Sequence, residues 1–167
     1  MRMLRRGLIA TVLVAGLAVA TATPTAATPH PGHGVKVRSF DQQLLKKVNH
    51  ARKAHHLAAY TFSPTLWKIA HSWAKHLAAD GALSHRANLT TVVQQKCSKH
   101  SKAGENVAFV SGGTGQLKAL YHQYVADKAH RANVFSDTFT HIGIASIKKT
   151  VGGQVQEWSV MDLATRC

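Results

Sequence analysis

The chain has 167 residues, 45% of them hydrophobic, with 21 lysines and arginines against 7 acids and a formal charge of +14. The length allows one ordinary domain, and the charge restricts binding partners to anionic ones without choosing among them. Cys97 and Cys167 are the only cysteines and neither sits in a CxxC pair, which weighs against zinc-ribbon and thioredoxin-like chemistry.

The N-terminus, MRMLRRGLIATVLVAGLAVATATPTAATP, places Arg2, Arg5 and Arg6 before an uncharged apolar run from Gly7 to about Ala20, followed by small residues. That is the three-part pattern of a secretory signal peptide. Cleavage after Ala20, Ala22 or Ala27 leaves a small residue at the exit position; Ala22 is taken, giving a signal peptide over 1–22. The apolar run falls short of the roughly 20 residues a spanning helix needs. A secreted, extracellular chain with no transmembrane domain in its mature form is therefore expected. Losing the three arginines with no acid lowers the formal charge from +14 to +11. Residues 23–37, rich in Thr, Pro and Gly, read as a flexible linker, and residues 38–167 as the folded domain.

Within that domain Phe40, Leu44, Val48, Ala51 and His55 recur at helical spacing, with Lys46, Lys47, Arg52 and Lys53 on the other side of a first helix opened at Ser39. A second helix is bounded by Ser63 as N-cap, Pro64 at the first helical position and Gly81 as terminator, with Leu66, Ile69, Ala70, Trp73 and Leu77 inward. ENVAFVS at 105–111 reads as a short strand. A third helix follows from about Gln116 to Ala126, with Leu117, Leu120, Tyr121 and Tyr124 inward. HIGIASIKK and QVQEWSVMDL alternate around Gly152-Gly153, a two-residue hairpin, with Glu157 read as solvent-facing. Helices on both sides of a small antiparallel sheet make an α+β domain. In an exported chain Cys97 and Cys167 are expected to pair.

Three strings then stand in order: LSH at 83–85, GEN at 104–106 and HRANVF at 130–135. With LLKKVNHARKAHHL before them and EWSVMDL after, they resemble the CAP superfamily of cysteine-rich secretory, antigen 5 and pathogenesis-related-1 proteins, and its compact bacterial members in particular. The resemblance implies an α-β-α sandwich whose cleft is lined by two histidines and two acids. By motif these are His85, His130 and Glu105, with Asp127 as the second acid, at a position that also suits the N-cap of a short helical turn. Asn106, Arg131 and Asn133 are expected to brace the loops. In some members the histidines hold a divalent metal such as zinc, so His85 and His130 are the candidate metal ligands, Glu105 the candidate catalytic base and a small ligand or lipid the expected occupant. Two imidazoles leave coordination positions open, which would make any such metal exchangeable.

The sequence departs from the family in two places. Val160 stands where the last strand often carries glutamine, and RANLTTVVQQKCSKHSK follows His85, so that wall of the cleft is expected to be built differently and stapled by Cys97. A ligand-binding cleft is the leading reading. The alternatives are a hydrolase with Glu105 as base and a basic binder of anionic lipid or cell-surface polymer, drawing on side chains such as Arg52 and Lys96. A monomer without specific nucleic-acid binding is expected.

Overall fold

The structure, a computed structural model, describes residues 35–167; the signal peptide expected over 1–22 and most of the linker lie outside the described residues. Helix α1 spans Ser39–Ala54 and buries Leu44, Leu45, Val48 and Ala51. It starts one residue earlier than Ser39 implies, with Arg38 at the cap position, and it ends before His55, which is exposed and tilted against the Phe135 ring at 4.3 Å rather than buried. Helix α2, Pro64–Asp80, follows its sequence signals: the Ser63 hydroxyl accepts the Leu66 N–H, and Gly81 ends the helix in the left-handed conformation. Helix α3, Leu89–Lys96, occupies the segment where the chain departs from the family pattern.

Strand β1 (Thr61–Phe62), β2 (Ala103–Gly112), β3 (His141–Val151) and β4 (Gln154–Ala164) form one sheet in the order β1-β3-β4-β2. Three strands are antiparallel, as expected, and β1 adds a two-residue parallel pair that makes the sheet mixed. β2 is longer than ENVAFVS and lies at an edge. Gly152 and Gly153 turn β3 into β4, both with positive φ. Helix α4 (Gln116–Ala126) and the short α5 (Lys128–Val134) complete the chain.

Strand alternation divides the core in two. Ala108, Ile142, Ile144, Met161 and Leu163 face α1, α4 and α5, while Val107, Ala145, Trp158 and Val160 face Ala70, Ala74, Leu77 and Ala78 of α2. The result is the expected α-β-α sandwich. Helix α2 lies unusually close to the sheet at Gly143, where an added Cβ would meet the backbone of Leu66 and Trp67 at 2.2 Å. Val160, in place of the family's glutamine, is part of this packing and fully buried.

Two side chains sit where the sequence reading did not put them. Glu157, expected in solvent, is 2% exposed and takes both arms of the Arg38 guanidinium at 2.7 and 2.8 Å. Arg52, assigned to the polar side of α1 and to an anion-binding surface, is also 2% exposed. It donates to the carbonyls of Ala58, Val134 and Ser136 and stacks over Tyr60 at 3.5 Å, tying α1 to the chain that follows α5. Each was misplaced because its partner is remote in sequence, so no local period reports it.

Candidate functional site

The loop after α2 is pinned on both sides of His85. The Trp73 indole N–H donates to the Ser84 carbonyl at 2.9 Å. Arg86 folds back over Trp73, its Nη2 donating to the Ile69 carbonyl at 3.1 Å and the Ser72 hydroxyl at 2.6 Å. Between these anchors, His85 Nδ1 meets Glu105 Oε1 at 2.8 Å, and the same oxygen accepts the Arg86 backbone N–H at 3.0 Å. The exposures are opposite: the Glu105 side chain is 4% exposed and that of His85 64%. A buried carboxylate thus fixes one nitrogen of an imidazole whose ring stands in solvent.

On β2 the neighbouring Asn106 points to the other face. Its Nδ2 donates to the His130 carbonyl at 3.0 Å, and its Oδ1 accepts from Asn133 Nδ2 at 2.8 Å; that same Nδ2 also reaches the Glu105 carbonyl at 3.1 Å. Asn106 and Asn133 therefore bind α5 to the edge strand. Gly104 completes the junction, because a Cβ there would lie 2.8 Å from the Phe139 ring. Arg131 is exposed and lies over Phe135, 5.6 Å from the ring centre.

Asp127 is the N-cap of α5, accepting the His130 backbone N–H at 2.9 Å. That hydrogen bond, chiefly, holds its exposed carboxyl below the usual aspartate range. The same carboxylate lies 3.8 Å from His130 Nδ1, beyond hydrogen-bond reach. His130 Nδ1 is buried without a partner, and the ring meets Tyr124 edge-on at 5.8 Å. Neighbouring positions of the edge strand thus hold the two histidine segments, Glu105 the His85 loop and Asn106 the start of α5 that carries His130 and Asp127. Among the described residues, no group of three or more His, Cys, Asp or Glu side chains is arranged to hold a metal ion.

One acid escaped the sequence reading. Asp162 lies directly across from Glu105 in the β2–β4 register, is fully buried, and has neither oxygen hydrogen-bonded; Glu105 Oε2 is buried and unpartnered as well. Burial first, and then the nearby Glu105 charge, push the Asp162 carboxyl well above the usual range against the pull of Arg86. The sequence carried one sign of this: Asp162 continues the apolar alternation of Trp158 and Val160 and so falls on an inward position.

A raised carboxyl favours the protonated folded state. Its stabilising contribution is complete below the ordinary aspartate range, about 3.9, and is lost as pH rises through the raised value. Asp41, pushed up to about 6 chiefly by burial at the start of α1, contributes with the same sign. Asp162→Asn is therefore expected to flatten the decline in stability toward neutral pH, with Asp41 still contributing to it; urea unfolding across a pH series measures it.

A family model described as the cysteine-rich secretory protein family, CAP, matches residues 45–163. The chain belongs to the CAP family. No curated protein sequence matches it. Among solved structures, an outer surface protein of Borrelia burgdorferi is similar at a TM-score of 0.65 and 15% identity, over 81% of this chain and 99% of that one. An extracellular SCP-domain protein of Bacillus anthracis is similar at 0.57 and 20% identity, over 74% of this chain and 39% of that one. A cysteine-rich secretory protein of Staphylococcus aureus is similar at 0.57 and 15% identity, over 75% and 38%. At these identities the structural likeness concerns the CAP fold alone. The CAP domain here is stapled by a Cys97–Cys167 disulfide, with Cα atoms 4.6 Å apart, which ties the end of α3 to the C-terminus.

Proposed function

We propose that this is an exported CAP-domain binding protein whose cleft at the edge of β2 takes a polar or acidic ligand, with His85 and His130 as the residues that would hold a labile divalent metal such as zinc. The observation that carries the reading is the His85–Glu105 contact at 2.8 Å. A histidine whose Nδ1 is held by a buried carboxylate presents Nε2 in a fixed direction. His130 adds a second imidazole whose Nδ1 is buried, which leaves Nε2 as the nitrogen that would meet an ion. The donor set suits a borderline ion such as zinc; two protein nitrogens would leave its other positions to solvent or ligand, which would make it exchangeable. When bound, such an ion would polarise a ligand oxygen.

Export is supported by the N-terminal leader pattern and by relatives described as secretory and extracellular. Among the described residues no helix is long and apolar enough to cross a membrane. The binding reading is preferred to the hydrolase reading because the free oxygen of Glu105 is buried. A general base must reach the proton it removes, whereas Glu105 is placed to orient His85.

Calorimetric titration of the exported chain with zinc tests this. His85→Ala and His130→Ala are each expected to weaken binding at least about tenfold, and Glu105→Gln by about 10–100-fold, the usual range for a group that orients a metal ligand. Equal affinity in wild type and both histidine variants would sink the metal-bridged cleft.

A further inference from the structure

The segment that departs from the family pattern builds a second concavity, separate from the two histidines. Helices α2 and α3 and the Arg86 loop flank an open groove of about 530 Å³. On its α2 wall Thr65, Lys68, Ile69 and Ser72 stand at helical three-to-four-residue spacing, and on its α3 wall Val92 and Lys96 stand one turn apart. The lining sorts by chemistry: three cations, Lys68, Arg86 and Lys96; two hydroxyls, Thr65 and Ser72; two apolar side chains, Ile69 and Val92; and no acid. None of the three cations lies within salt-bridge distance of a carboxylate among the described residues, although Arg86 shares its loop with the His85–Glu105 pair.

Arg86 is the organising group. Its Nη2 is held by the Ile69 carbonyl and the Ser72 hydroxyl and its plane lies over Trp73, while its Nη1 makes no hydrogen bond to the described residues. With Nη2 committed and Nε buried, a guanidinium locked in this way offers Nη1 in a fixed direction, a charge-assisted donor to a phosphate or carboxylate oxygen. The α3 wall is anchored too, since Cys97 follows Lys96 directly and is bonded to Cys167. The volume lies in the range of small-molecule sites, about 300–1,000 Å³, and exceeds what a bare phosphate would fill. Three cations against one anion favour a group carrying close to two negative charges, as a phosphate monoester does near neutral pH.

We propose that the α2–α3 groove binds a small organic phosphate ester. Arg86, Lys68 and Lys96 surround the phosphate, the Thr65 hydroxyl donates to one of its oxygens, Ser72 holds Arg86 in place, and Ile69 and Val92 take the organic part. The site is independent of the cleft reading, because neither His85 nor His130 lines it.

The test is a ¹H–¹⁵N NMR titration of the exported chain with glycerol 3-phosphate, inorganic phosphate and glycerol, beside sedimentation with phosphatidylglycerol and phosphatidylcholine vesicles. Glycerol 3-phosphate is expected to give saturable shifts centred on Lys68, Ser72, Arg86, Val92 and Lys96. Binding should weaken at least tenfold in Lys68→Ala/Lys96→Ala, with its thermal unfolding checked, and should be unchanged in Lys118→Ala, an exposed lysine on α4. Vesicle binding lost in the same double variant also supports the site and makes a lipid headgroup the source of the phosphate. Four outcomes overturn the proposal: shifts spread over all surface lysines, equal binding by the double variant, inorganic phosphate binding as tightly as the ester, or no binding in either arm.

Discussion

Replacing Cys97 and Cys167 together by serine is expected to lower stability by about 4 kcal/mol, the chain-entropy value for a loop spanning 70 residues. For a domain of this size that corresponds to a fall in Tm on the order of 10 °C. The loop is long because the bond joins the end of α3 to the last residue of the chain, so its loss releases most of the domain's second half in the unfolded ensemble. Local packing replaces little of it, since α3 buries only Leu89 and Val93. The C-terminal tail keeps polar ties: the Ser101 hydroxyl donates to the Arg166 carbonyl at 2.8 Å and the Ser63 hydroxyl to Cys167 Sγ at 3.1 Å. Thermal unfolding of the oxidised protein, the reduced protein and the double variant measures the effect. A difference below about 1 kcal/mol would mean that these contacts, with Leu89 and Val93, hold α3 unaided.

Arg38→Met is the second large effect, expected at about 3 kcal/mol. The cost comes from Glu157, which is 2% exposed and would be left as a buried charge without its two bonds from Arg38. Removing one partner of a buried pair typically costs about 3–5 kcal/mol. The lower end applies because the Arg38 side chain is 36% exposed and water can enter in its place. The variant also loses the bond from Arg38 to the Ser146 carbonyl at 2.8 Å. Arg38→Met/Glu157→Leu should recover most of the loss, since the pair itself repays its desolvation only narrowly. Denaturant titration of both variants decides; a double variant no more stable than the single one would place the cost in the Ser146 contact instead.

The candidate site was legible where its chemistry is written in contiguous motifs. LSH, GEN and HRANVF name His85, Glu105, Asn106, His130 and Asn133, and the structure joins these residues by hydrogen bonds along one edge strand. Asp127 was legible as a cap because capping is a contact between a residue and the N–H three positions on. Asp162 and the Arg86 guanidinium were not legible. Asp162 meets Glu105 only through strand register, and Arg86 gains its partners only once its loop turns back along α2.

By itself, the sequence determined the elements whose signals are local: α2 from Ser63, Pro64 and Gly81, α4 from its apolar spacing, and the β3–β4 hairpin from alternation around Gly152-Gly153. It also determined the CAP family, through the order of three short motifs. Tertiary structure alone decided which charges are buried. Arg38 and Glu157 are 119 positions apart, and Arg52 reaches carbonyls 82 and 84 positions on. Hydropathy periods report which face of one element is apolar; they do not report the partner that lets a charge leave water. That partner exists only when strand register and helix packing bring distant segments together, and the same packing sets Asp162 against Glu105 and opens the groove beside Arg86.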